Sequence, residues 1–225
     1  GRVQEGICLR IYTESEMESS FVEQSNPEIL STDLTSTVLL LVAWGCSSRD
    51  EILADIPFVD SPPIDSVDSA IRLLVDLGTL TDVKGRLGIT SLGNEILDIP
   101  THPRFATVIQ HARRNDSTPA AFAAAIAVTF LLDDDTGIRL HNNQDPDLIS
   151  RVGDLYEKIQ MPEYSAINNA FRQYAARIGN DAKVVIQKVM DGSISISDIR
   201  SRVGPTLLSG FIDLVGERKG DASYG

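Results

Sequence analysis

The 225 residues carry 32 acidic and 20 basic side chains, a formal net charge of −12, with 42% hydrophobic and 23% charged content. That balance suits a soluble globular chain with one large or two small cores. It excludes a surface that grips phosphates everywhere, so any nucleic-acid contact has to come from a local basic patch or a neighbouring part of a longer protein. Two cysteines, Cys8 and Cys46, lie in apolar runs and have no metal-ligand spacing. They read as reduced, buried thiols. The longest apolar stretch, Val38 to Trp44, falls far short of the ~20 residues of a membrane helix, and no apolar leader segment is visible at the start. The expectation is a cytoplasmic protein without membrane contact.

In chain order, Ile7 to Tyr12 alternates apolar and other residues and predicts a short strand. Glu14 to Asn26 is an acidic connection, irregular or weakly helical. Pro27 then leads to a helix over 33–44, capped by Ser31, Thr32 or Asp33, stopped by Gly45, and apolar nearly all round. After Ser61-Pro62-Pro63, the residues Val67, Ala70, Ile71, Leu74 and Leu77 mark one face of a second helix, closed by Gly78. Two extended runs, 79–82 and 86–90, flank Lys84-Gly85 as a β-hairpin. Helix, helix and hairpin in that order is the layout of a winged helix.

From Ser91 the pattern is helical. A short helix around Leu92, Ile96 and Leu97 stops at Pro100, and Phe105, Val108, Ile109 and Ala112 mark the next. A cap and first-turn proline, Asp116 to Pro119, open an alanine-rich helix through Leu132. Residues 133–147 read as a solvated loop. Helices follow over about 146–159, 163–178 and 181–190, and 199–225 is less regular. The fold class is therefore mainly α, a winged-helix domain with a small hairpin followed by a helical bundle.

Five blocks carry a resemblance. The run from Gly1-Arg2 through Gly6-Ile7-Cys8-Leu9-Arg10-Ile11-Tyr12-Thr13 resembles the end of motif VI and the following strand of DEAH/DExH RNA helicases. Pro27-Glu28-Ile29-Leu30 to Leu34 is similar to that family's Pro-Glu-Ile segment, with Ser31 where the family usually has Arg. Phe58-Val59-Asp60-Ser61-Pro62-Pro63, the block Leu74 to Leu80, and Ile99-Pro100-Thr101-His102-Pro103-Arg104-Phe105 complete the series in the family's order. The His-Pro-Arg step and residues 210–220 favour the bacterial HrpB-type branch. The resemblance implies the end of the second RecA-like motor domain and a winged helix in 1–90, a helical ratchet in 91–200, and the start of a further segment in 201–225. It implies a parent that uses ATP and Mg²⁺ in upstream RecA-like domains to move single-stranded RNA. The present chain, lacking the Walker lysine and the DExH carboxylates, is expected to hold no cofactor and to be inactive alone.

By the same resemblance Arg2 matches the last arginine of motif VI, which in the family reaches the γ-phosphate. It is the one candidate catalytic residue, in the intact protein only. His111, Arg113 and Arg114 form the densest basic cluster after the His102-Pro103-Arg104 block, and they are the candidate nucleic-acid contacts; cations in a helix's last turn are also favoured by the helix dipole. Arg172, Arg177, Lys183 and Lys188, near Tyr174, read as a solvated face. Asp60, Asp65, Asp68 and the run 133–135 lack a His or Glu to complete a ligand set, so no metal site is expected. His102 and His111 have no Ser or Cys partner at a triad spacing. Two other classes remain: a winged-helix nucleic-acid-binding regulator, disfavoured by Asp65, Asp68 and Asp76 against a single Arg72 on the second helix, and a protein-interaction scaffold.

Overall fold

The structure, a computed structural model, describes residues 3–20, 26–115, 118–133, 147–215, 218–219 and 223–224. Residues 3–12 form no strand. Ile7, Leu9 and Ile11 are almost fully exposed, because the alternating segment has no partner strand among the described residues to take its backbone hydrogen bonds. Helix α1 (Glu14–Ser20) follows, opened by Thr13, whose hydroxyl accepts from the Glu16 amide while the Glu16 carboxylate accepts from the Thr13 amide.

Helix α2 (Thr35–Ala43) starts where the Thr35 amide donates to Asp33 Oδ1 at 2.7 Å, and ends at Gly45 with φ 116°. It buries Val38, Leu39, Leu41 and Val42, but Leu40 and Trp44 face outward. One side of this apolar helix is thus open. A short helix that periodicity does not reveal, α3 (Arg49–Ala54), is built by local capping: Ser48 Oγ accepts from the Glu51 amide, and the Glu51 carboxylate accepts from the Ser47 amide and hydroxyl. These bonds hold the Glu51 carboxyl below its ordinary pKa. Six residues are too few to show a period.

Helix α4 (Ile64–Asp76) presses Val67, Ala70, Ile71 and Leu74 against α2. Strands β1 (Leu80–Val83) and β2 (Arg86–Ile89) then pair antiparallel, Val83 opposite Arg86. The two-residue turn needs positive φ at both positions, and Lys84 and Gly85 adopt 55° and 81°. The hairpin is fixed to the α2–α3 connection by the Leu87 amide, which donates to Ser47 O at 2.7 Å. Helices α2, α3 and α4 with β1 and β2 make the winged helix. Helix α5 (Ser91–Ile96) is capped by Thr90 and lies so close behind β1 that a Cβ on Gly93 would sit 2.2 Å from Thr79 O.

The remaining helices surround one central rod. Helix α7 (Pro119–Leu132) is buried at every position from Ala120 to Phe130. Around it pack α6 (Pro103–Asn115), α8 (Leu148–Lys158), α9 (Ser165–Ile178), α10 (Asn180–Met190) and α11 (Ile196–Leu207). The alanines of α7 admit close neighbours, and Phe130, Tyr156 and Phe171 fill the remaining space edge to face, with centroids 5.0 Å and 5.6 Å from Phe171. Tyr156 donates its buried hydroxyl to Ala123 O at 2.8 Å, and burial raises its pKa. Helix α11 corrects the expectation of irregularity after 199. Ser195 Oγ accepts from the Asp198 amide, and Ile199 and Val203 plug against α7 and α8. Gly204-Pro205 masks this helix in the sequence, because both residues read as breakers. Beyond it, the Arg104 guanidinium holds Gly210 O at 2.7 Å and both carboxylate oxygens of Asp213. The apolar residues of winged helix and helical array form one continuous cluster.

Candidate nucleic-acid interface

The last turn of α6 brings His111, Arg113 and Arg114 to the surface, where an α-helix favours cations because its final carbonyls are unsatisfied. His111 is exposed. Arg113 reaches across to the start of α10: Nε donates to Asp181 Oδ2 at 2.7 Å, and the terminal nitrogens donate to Asp181 Oδ1, Gln110 Oε1 and Ile178 O. Its guanidinium also lies 5.3 Å from the Phe122 ring. Arg114 turns the other way and pairs with Glu95 of α5, with Ser91 Oγ at 3.4 Å. Glu95 in turn accepts from the Gln110 side-chain amide.

The structure therefore brings the three residues together, but gives two of them carboxylate partners. Asp181 and Glu95 are the members of this site that the sequence does not point to. Asp181 lies 68 residues from Arg113, and only the packing of α10 beside α6 and α7 makes them neighbours. Each ion pair cancels the cation that would release counterions on meeting a phosphate. The α6 end is thus a strap joining α5, α6 and α10, with His111 and the exposed edges of the arginines on its outer side.

The other candidates divide differently. Arg2 lies outside the described residues, as do positions 134–146 of the expected loop. At that loop's described ends, Asp133 accepts from Thr101 Oγ1 at 2.7 Å and Asp147 caps α8. On α4, Asp68 pairs with Arg49 at 3.3 Å. The face that would enter a DNA groove is acidic, carrying Asp65, Asp68 and Asp76. Among the described residues no group of three metal-ligating side chains converges, and the sequence contains no Gly-rich lysine loop to cradle phosphates. No described helix is long and apolar enough to cross a membrane.

No family model matches the chain. It is 28% identical to the ATP-dependent RNA helicase HrpB of Escherichia coli K12 over 228 aligned positions, which cover 93% of this chain and 27% of that protein. Over 131 residues it is 33% identical to the ATP-dependent RNA helicase HrpA of the same organism, covering 57% of this chain and 10% of HrpA. Its relatives are HrpA/HrpB-type ATP-dependent RNA helicases. The chain matches a C-terminal region of them and spans about a quarter or less of the length of these two. A crystal structure of the E. coli DEAH/RHA helicase HrpB shares the fold, with a TM-score of 0.51 at 22% identity over 98% of this chain and 23% of the HrpB chain.

Proposed function

We propose that this chain serves as the accessory C-terminal region of an ATP-dependent RNA helicase, helping to hold single-stranded RNA while upstream RecA-like motor domains bind ATP and Mg²⁺ and drive movement. The observation that carries the reading is the alignment to HrpB along nearly the whole chain, through winged helix and helical array alike. In this reading residues 1–90 complete the motor and form the winged helix, 91–200 form the ratchet, and 201–225 lead into a further segment. Arg2 would act from the end of motif VI on the γ-phosphate in the intact enzyme. The motors supply the hydrolysis; this chain's own residues position and hold. The protein works in the cytoplasm.

Grip on RNA falls to His111, Arg113 and Arg114. It is weak in this chain by itself, because a net charge of −12 and the pairs with Asp181 and Glu95 oppose the gain from counterion release. Contact to phosphates carries no sequence information, so this grip is sequence-tolerant. Labelled oligo-U titrated at low salt against the chain and an Arg113→Glu/Arg114→Glu variant tests this. Weak, steeply salt-dependent binding that the double variant abolishes is the expected outcome. Equal binding by both proteins would reduce the cluster to a structural helix end.

A further inference from the structure

A groove of about 420 Å³ lies between α9 and α10, lined by Arg172, Ala175, Lys183, Val184, Ile186 and Gln187. Its lining is mainly apolar, and Val184 stands 54% exposed within it. Over residues 165–190 there are four cations, Arg172, Arg177, Lys183 and Lys188, and one carboxylate, Asp181. Asp181 is already held by Arg113. This hairpin therefore reverses the sign of an otherwise acidic chain.

Among the described residues these four cations form no ion pair with a carboxylate. Arg172 donates to Asn168 Oδ1 at 2.8 Å and Lys183 to Asn180 Oδ1 at 3.3 Å, both neutral partners. The Arg177 guanidinium lies 6.0 Å from the Tyr174 ring. Lys188 attracts Asp191 electrostatically without reaching it.

Two classes of occupant carry negative charge, a nucleic-acid strand and an acidic protein segment. A strand gains much of its affinity by stacking bases on aromatic faces. The aromatic side chains of this hairpin, Phe171 and Tyr174, are buried, so the groove offers no stacking platform. An apolar floor with a cationic margin instead complements an amphipathic helix whose apolar stripe is flanked by carboxylates.

We propose that the α9–α10 groove docks an acidic amphipathic helix of a partner protein, its apolar side chains on Val184 and its carboxylates on Arg172 and Lys183. The proposal goes beyond RNA holding and does not depend on it, because the groove shares no lining residue with the α6 cluster.

The probes are two labelled peptides of about 18 residues, long enough to be helical, with the same content of Leu, Glu and Ala. One sets its leucines on a single helical stripe and the other scrambles them. Fluorescence anisotropy with the 225-residue chain should show the striped peptide binding, and the scrambled one at least about tenfold weaker. Val184→Asp and Arg172→Glu/Lys183→Glu should each weaken the striped peptide by about tenfold, a change of about 1.4 kcal/mol. Amide exchange should slow along 172–187 when it binds. Because the three side chains are exposed, the variants keep the fold, which circular dichroism verifies. Absence of binding, equal binding of both peptides, or no loss in the variants overturns the proposal. So does oligo-U binding that Arg172→Glu/Lys183→Glu removes, which would make the groove a strand site.

Discussion

In the winged helix each helix buries one stripe and leaves the rest to water: α4 turns Val67, Ile71 and Leu74 inward and Asp65, Asp68 and Asp76 outward. In the helical array α7 is enclosed on all sides, and its neighbours alone meet solvent. Exposed cations occur in both regions: Arg49, Arg72, Lys84 and Arg86 in the winged helix, where α4 is otherwise acidic, and the end of α6 and the faces of α9 and α10 in the array. Within the array the two basic regions differ again. At α6 the arginines are spent on Asp181 and Glu95, while α9 and α10 keep theirs on neutral partners. A basic cluster in sequence is therefore a poor guide to net positive field until the partners that folding brings to it are known.

The largest expected effect lies in the array. Phe171, fully buried against Phe130 and Tyr156, should cost about 3–5 kcal/mol as Phe171→Ala in denaturant unfolding. Leu74→Ala in the winged helix should cost about 2–5 kcal/mol. Because one apolar cluster joins both regions, each variant should shift the same cooperative transition. Two separate transitions, each moved by only one variant, would break the comparison into two independent units.

Arg104 gives a smaller, pH-dependent effect. Its hydrogen bonds to Asp213 hold that carboxyl below the ordinary value despite partial burial. A lowered folded pKa means the stabilisation is present above the unfolded value of about 3.9 and is lost as pH falls through the folded one. Arg104→Ala should cost about 1–3 kcal/mol near neutrality. The gap between variant and wild type should shrink as pH falls below about 4. A gap independent of pH from 7 to 2 would mean that the bond to Gly210 O and packing on Phe211, 5.2 Å away, carry the whole effect.

What the sequence disclosed follows the same division. Helix α4, with a clean period between Pro63 and Gly78, and α7, a continuous run of helix-forming alanines after Pro119, are legible because propensity, patterning and end signals agree there. The hairpin was legible in Lys84-Gly85. Three elements were misread for separate reasons. Helix α3 is too short to show a period, Gly204-Pro205 disguises the end of α11, and the Ile7–Tyr12 alternation satisfies a strand pattern without a partner strand among the described residues. The candidate site was half legible. His111, Arg113 and Arg114 are visible as a cluster, but Asp181 and Glu95 come from other helices, and no local pattern links them to it.

On the proposed reading the α6 cations grip an RNA strand only weakly because Asp181 and Glu95 already pair with them. An Asp181→Asn/Glu95→Gln variant removes those partners and leaves the arginines in place. Its control is Asp65→Asn/Asp76→Asn, the same change in net charge placed on α4. Oligo-U anisotropy should be measured for both across roughly 50–200 mM salt. The strap variant should bind several-fold tighter than wild type, with a salt slope steeper by about 1, and the α4 control should change little. Equal affinity for wild type and strap variant, or an equal gain in the control, would contradict that reading.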